Sequence, residues 1–224
     1  MPPLIYLLGV LLVLAVVGFI LGRSRAMASA GGDARHLHTL PSYYGYNVAL
    51  TVMVPSLAIL VVWLLVQPSY IENSVSSLLT HTEGMSEGEV GLQMSEVRRV
   101  ATGLAAAVDA GLMDDDLARN ARADFTDMTT RLKEAGQIVT QAVNVPILRA
   151  AQEYRAMSER GTMMMWIAVI AAGLAGLAFA FVSTNKDLRA RNVVERVILM
   201  LLMAAASIAI LTTLGIVLSM LFET

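Results

Sequence analysis

Long apolar runs without a single charge dominate the pattern of this chain. Four of them approach the ~20 residues that a helix needs to cross a bilayer. They cover residues 4–21, 48–66, 163–182 and 197–222. The fourth run reaches roughly 39 Å as a helix, longer than a ~30 Å hydrocarbon core, so it should tilt or project beyond the membrane. The pattern therefore predicts four transmembrane helices.

A polar insert separates the second run from the third. Residues 67–162 hold fourteen acidic and nine basic side chains. Apolar residues first recur there at the three- and four-residue spacing of an amphipathic helix, which Gly111 is placed to end. The positions of this helix are Val97, Ala101, Leu104 and Val108. Ser86 and Glu89 have the spacing of a capping box just before it.

A second helix of the insert is predicted to start at Asp114–Asp116, because carboxylates favour the positive end of a helix. Its apolar seam is heptad-like: Leu117, Ala121, Phe125, Met128, Leu132, Ala135, Val139 and Ala142. Pro146 should kink or interrupt it, and residues 147–160 should continue helically to the third span. Since no strand pattern occurs, the insert is predicted to be a helical hairpin or bundle.

The predicted domains are a first membrane pair, 1–66, the helical insert, 67–162, and a second membrane pair, 163–224. All seven Lys and Arg residues outside the insert lie in two short loops, 22–47 and 183–196. Basic short loops stay in the cytoplasm. We therefore expect a multi-pass membrane protein, with both short loops in the cytoplasm and with the insert and both termini of this chain outside.

Composition supports a membrane protein. The chain has 56% hydrophobic and 15% charged residues, with a mean hydropathy of +0.64. Soluble domains average about 45–50% apolar residues and about 25% charged residues. A net charge of −2 disfavours nucleic-acid binding, and the absence of cysteine excludes disulfides and thiol chemistry. Cleavage of the first run as a signal peptide is disfavoured, because no basic residue precedes it.

Candidate chemistry is sparse. His36 and His38 lack the further ligands of a metal site, and Asp114–Asp116 lacks the loop of a calcium site. No catalytic motif occurs, and no ionisable residue lies at mid-membrane depth. The sequence thus predicts no enzyme and no catalytic, cofactor-binding or metal-binding residue. Close helix approach is indicated by Gly18-x-x-x-Gly22 and by Ala172-x-x-x-Gly176-x-x-x-Ala180.

Two stretches, Leu37–Trp63 and Arg191–Thr224, resemble a known family. The second, with ERVI and SIAILTTLGIVLSMLFE, is the more specific. Both are similar to the N-terminal half of the long-form PstC-type permease of bacterial phosphate ABC transporters, in which two membrane helices and a periplasmic insert precede the permease core. The resemblance implies four partners: the lipid bilayer, a second permease subunit, an ATP-binding cassette ATPase and a periplasmic phosphate-binding protein. It also implies that the last helix of the second pair starts the permease core. The protein would then be a multi-pass protein of the bacterial inner membrane, with the insert and both termini of this chain periplasmic.

Permeases of this kind continue with further membrane helices that carry the phosphate path. We therefore interpret the chain as an N-terminal portion and expect the substrate-binding residues beyond Thr224. The leading hypothesis is a membrane permease component of an ATP-driven importer of inorganic phosphate. The alternatives are a membrane signalling receptor with a periplasmic helical sensor domain and a membrane assembly factor that transports nothing.

Overall fold

The computed structural model describes residues 4–79, 87–120 and 145–222. These residues contain no strand and six α-helices: α1 Leu4–Ser29, α2 Pro41–Ser76, α3 Glu87–Asp109, α4 Asp115–Asn120, α5 Val145–Ser183 and α6 Ala190–Phe222. Four of the six, α1, α2, α5 and α6, are long and apolar enough to cross a membrane. The predicted all-helical class with four transmembrane helices is confirmed.

The chain divides into two compact units. The insert unit comprises Leu60–Ile167, and the membrane unit comprises Pro2–Ile59 with Ala168–Thr224. The predicted insert, 67–162, falls within the first of these, while its proposed boundaries stay a prediction. Helices α2 and α5 are longer than the apolar runs that predicted them, so each contributes residues to both units.

Glycines bring α1 and α2 into close contact in the membrane unit. A Cβ added at Gly22 would lie 2.5 Å from Val48 Cγ2 and 2.9 Å from the carbonyl oxygen of Tyr44. A Cβ added at Gly45 would lie 2.5 Å from the ring of Phe19. Real Cβ atoms do not approach so closely, so the contact requires the bare backbone of glycine. The first predicted small-residue motif therefore faces a neighbouring helix.

The second small-residue motif packs α5 against α2 through Gly176, and the neighbouring Gly173 adds a contact with α1. A Cβ added at Gly176 would overlap the carbonyl oxygen of Thr51, a backbone atom of α2. One added at Gly173 would lie 3.0 Å from Leu14 and 3.2 Å from Ser56 Oγ. The apolar parts of α1, α2 and α5 thus form a three-helix bundle in which glycines permit several close contacts.

Aromatic side chains close one end of this bundle. Tyr44 is fully buried against Ala26 and Ala190, and its hydroxyl donates to the carbonyl oxygen of Lys186 at 3.2 Å. The guanidinium of Arg25 lies 4.4 Å from the ring centre of Phe181, which is a cation–π contact. The Tyr44 contacts thus hold the start of α6 to α1 and α2, and the Arg25 contact joins α1 to α5.

Hydroxyl groups within the membrane helices bond to their own backbone. Thr51 and Ser56 donate to the carbonyl oxygens four residues earlier, each at 2.8 Å. Thr213 in α6 does the same at 2.8 Å. Because each donor is satisfied within its helix, these residues need no polar partner in the hydrocarbon.

The insert unit has an apolar core of its own. It is built from the end of α2, one face of α3, and the first turns of α5. Its fully or almost fully buried members include Ile71, Val75, Val97, Ala101, Leu104, Leu148 and Ala151. The predicted apolar face of α3 is confirmed, with Val97 and Leu104 completely buried.

The predicted end of α3 and start of α4 are confirmed. Gly111 has a φ of +70° and donates to the carbonyl of Val108, while Leu112 donates to that of Ala107. This pair of bonds is a Schellman motif, which favours glycine because of the positive φ. Asp114 directly precedes α4, and its backbone carbonyl accepts the first hydrogen bond of the helix from the amide of Ala118 at 3.0 Å.

Other predictions for the insert meet the edge of the described ranges. Pro146 lies in the first turn of α5, where its missing amide hydrogen costs nothing, and α5 continues unbroken into the third span. Ser86, the apolar seam from Ala121 to Ala142 and the side chain of Leu117 lie outside the described residues.

Gly176→Ala tests the glycine contacts. The added methyl group must displace the Thr51 backbone, and overpacking of this kind costs about 1–3 kcal/mol. The free energy of unfolding of the full chain, measured by denaturant titration in mild detergent, should fall by that amount. Gly9→Ala on α1 is the matched control, because nothing lies within 4 Å of its added Cβ. Equal losses in the two variants would show that α5 and α2 are not in contact at Gly176.

Candidate functional site

Four charged side chains form a closed ring in the insert unit. Arg155 donates through Nη2 to Asp115 Oδ1 at 2.5 Å and through Nε to Glu159 Oε1 at 2.9 Å. Arg119 donates through Nε to Asp115 Oδ2 at 2.9 Å and through Nη2 to Glu159 Oε2 at 3.2 Å. Each guanidinium therefore bridges both carboxylates, and α4 is joined to α5.

The ring is electrically neutral, which limits its ability to bind an anion. The side chain of Arg155 is only 11% exposed, and its Nη1 has no hydrogen-bond partner in the described part of the chain. A phosphate site needs uncompensated donors such as clustered arginines or backbone amides. Here each arginine already serves two carboxylates, so the ring is a clamp between helices and not an anion site. Gln152 also joins α5 to α4, because its Nε2 donates a hydrogen bond to the carbonyl oxygen of Ala118 at 3.1 Å.

Sequence reasoning missed this ring. It interpreted Asp115 as part of a helix start and did not single out Arg119, Arg155 or Glu159. The available signal was two i,i+4 pairs of opposite charge, Asp115 with Arg119 and Arg155 with Glu159. Nothing local showed that the two pairs would meet.

A second feature of the insert unit is a groove between α2 and α5, with a volume of about 500 Å³. We call it the α2–α5 groove. Its walls include the apolar residues Val62, Val66 and Met164 and the aromatic residues Trp63 and Tyr70. Clefts that hold small molecules are typically about 300–1,000 Å³ and mostly apolar. The groove therefore has the size and lining of a site for an apolar ligand.

A polar chain fixes the shape of the groove. The indole Nε1 of Trp63 donates to Gln67 Oε1 at 2.9 Å, and Gln67 Nε2 donates to the carbonyl oxygen of Ser158 at 3.4 Å. Gly161 permits this crossing, since an added Cβ would lie 2.6 Å from Gln67 Nε2. The side-chain amide of Gln67 is thus hydrogen-bonded within the protein. Arg160 is the charged residue that lines the groove.

The histidines of the first short loop, His36 and His38, were the candidate metal ligands. His36 lies on a short 3₁₀ turn, where its Nδ1 is 3.3 Å from the carbonyl oxygen of Ala30. Within residues 4–79, 87–120 and 145–222, no three side chains of His, Asp or Glu are grouped closely enough to hold a metal ion.

Comparison with known families identifies the chain. The model of the family described as phosphate ATP-binding cassette transporter matches residues 8–178, more than half of the sequence. The chain belongs to this phosphate ATP-binding cassette transporter family. No curated protein and no solved structure matches it. The matched range takes in most of α1, all of α2, the insert unit and most of α5, and it ends before α6.

Membership in the phosphate ATP-binding cassette transporter family agrees with the architecture. Four apolar helices make the chain a multi-pass membrane protein, and the family relates it to transport. Both the charged ring and the α2–α5 groove lie inside the matched range.

Arg155→Met tests whether the ring holds α4 to α5. Removing the least exposed member leaves two carboxylates that share one arginine, and the loss of charged hydrogen bonds should cost about 1–3 kcal/mol. Amide hydrogen exchange in Asp115–Asn120 should accelerate accordingly. Arg98→Met is the control, because Arg98 pairs with Glu72 at 49% and 40% exposure and such surface pairs contribute about 0–1 kcal/mol. Unchanged exchange in α4 after Arg155→Met would show that the ring is not a clamp.

Proposed function

We propose that this chain is a membrane permease component of an ATP-driven importer of inorganic phosphate, and that it corresponds to the N-terminal portion of a PstC-type subunit. The observation that carries the proposal is the family match over residues 8–178. The resemblance of Leu37–Trp63 and Arg191–Thr224 to PstC-type permeases supports the finer assignment. A receptor or an assembly factor has no comparable support.

The chemistry of the described helices bears on where phosphate crosses. An anion that enters hydrocarbon must exchange its hydration shell for protein donors, because burial of an unpaired charge is very costly. The apolar runs hold no charged side chain, and the hydroxyl groups of Thr51 and Thr213 donate to the backbone of their own helices. We therefore propose that the groups that bind phosphate belong to other parts of the importer.

Helix α6 is the proposed connection to those parts. Its most apolar 18-residue stretch has none of its residues buried, whereas Ala190 and Val194 in its first turns are buried. Lipid or further membrane helices can cover such a surface. In the proposed complex, α6 starts the permease core and contacts a second permease subunit, while an ATP-binding cassette ATPase supplies the energy.

The orientation of the chain is also part of the proposal. Seven basic residues in the two short loops favour a cytoplasmic position for both loops. The insert would then lie in the periplasm of the bacterial inner membrane, on the side from which a phosphate-binding protein delivers its ligand. We assign no enzymatic activity to the chain itself.

Cysteine labelling tests the orientation, because the chain has no cysteine of its own. Ser77→Cys places an exposed thiol just after α2, and Asp187→Cys places one in the short turn before α6. A membrane-impermeant maleimide should label Ser77→Cys in cells with a permeable outer membrane, and Asp187→Cys only after the inner membrane is opened. The cysteine-free parent is the control, and the reverse pattern would refute the proposed topology.

Phosphate uptake tests the function. Deletion of the gene from its host should abolish high-affinity uptake of radiolabelled phosphate at limiting concentration, and a plasmid copy should restore it. Uptake of an amino acid through another ATP-driven importer is the control for general damage to the membrane. Expressed alone in a heterologous phosphate-uptake mutant, the 224-residue chain should insert into the membrane without restoring uptake. Normal phosphate uptake in the deletion strain would contradict the proposal.

A further inference from the structure

The α2–α5 groove lies where the membrane helices leave the hydrocarbon. On α2 the apolar run ends at Val66, and on α5 it begins at Met163. Val62 and Met164 lie on the apolar side of this boundary, while Tyr70 and Arg160 lie on the polar side. Val62 and Tyr70 are separated by eight residues, or roughly 12 Å along a helix. The groove therefore extends from acyl-chain depth to headgroup depth, whichever side of the membrane the insert occupies.

Aromatic side chains mark the same boundary. Trp63 and Tyr70 both line the groove, and these two residue types are enriched where a membrane protein meets the headgroups. The apolar wall of the groove is accessible from outside the protein, since Val62, Val66 and Met164 are each 57–59% exposed. At this depth a lipid acyl chain can reach the apolar wall.

The charge of the groove selects among lipids. Arg160 is exposed and makes no hydrogen bond or ion pair with another described residue. None of the residues lining the groove is acidic. A guanidinium matches a phosphodiester by a charge-assisted bidentate hydrogen bond. A lipid with a net negative charge neutralises Arg160, whereas a headgroup that also carries an ammonium brings a second cation for which the lining has no carboxylate.

We propose that the α2–α5 groove binds one anionic phospholipid of the phosphatidylglycerol type. One acyl chain lies along Val62, Val66 and Met164, and the phosphate accepts hydrogen bonds from Arg160. Trp63, held by its bond to Gln67, contacts the glycerol region of the lipid. This proposal concerns a structural lipid and does not depend on phosphate transport.

Fluorescence quenching by brominated lipids tests the proposal, because bromine quenches an indole only on contact. The full chain has two tryptophans, so Trp166→Phe leaves Trp63 as the single reporter. This protein is reconstituted in phosphatidylcholine vesicles with increasing fractions of brominated phosphatidylglycerol or, in parallel, brominated phosphatidylcholine. One arginine near an anionic lipid should raise the relative association constant of phosphatidylglycerol about fivefold.

Substitutions then locate the preference. Arg160→Gln should reduce the association of phosphatidylglycerol to that of phosphatidylcholine, and Arg160→Lys should retain part of the preference. Arg149→Gln is the matched control, because Arg149 is an exposed arginine of α5 that does not line the groove. Circular dichroism confirms that each variant is helical. In the parent protein, the preference should also weaken at high salt, which tests the charge without a substitution.

Three results would overturn the proposal. Equal quenching of Trp63 by the two brominated lipids would exclude selection of the anionic headgroup. Equal loss of preference in Arg160→Gln and Arg149→Gln would mean a general surface charge effect. Loss of the phosphatidylglycerol preference on addition of inorganic phosphate, at constant ionic strength, would identify a site for the free anion in place of a lipid.

Discussion

Van der Waals contact at glycine is the interaction on which the membrane unit depends. Lipid tails are as apolar as leucine, so hydrocarbon gives these helices no hydrophobic reason to associate. They must instead approach closely enough for many weak contacts to form. Gly22 against Tyr44 and Val48, and Gly176 against Thr51, provide that approach because no Cβ stands between the backbones. The satisfied hydroxyls of Thr51 and Ser56 leave the same contacts free of unpaired polar groups.

The insert unit is stabilised by different interactions, namely hydrophobic burial and charged hydrogen bonds. It has an apolar core of the kind found in soluble domains, where removal of Val97 and Leu104 from water is itself the driving force. Charged hydrogen bonds then select one arrangement of its helices. The ring around Arg155 specifies how α4 lies on α5, because any other register would leave a poorly exposed guanidinium without its two carboxylates.

These features bear on the part proposed for this chain in a phosphate importer. The described helices supply a packed bundle, a neutral clamp and an exposed membrane helix, and none of these offers uncompensated positive charge to a phosphate at mid-membrane depth. Arg160, which lines the α2–α5 groove and has no partner among the described residues, lies three residues before the apolar run of α5. The proposed division of labour follows: this chain stabilises and connects, and other helices form the path.

The sequence by itself determined the features that depend on neighbouring residues. In hydrocarbon, an uncharged run of about twenty residues satisfies its backbone N–H and C=O groups by forming a helix. The all-helical class and the four spans were therefore predictable. Gly111 and Asp114 marked a helix end and a helix start, because both act within one turn. Only the tertiary structure decided the rest. Arg155 and Asp115 are 40 positions apart, and α2 and α5 form a groove from residues nearly a hundred positions apart. Local periodicity shows which face of a helix is apolar, but the partner of that face is set by packing between distant segments, which no local pattern encodes.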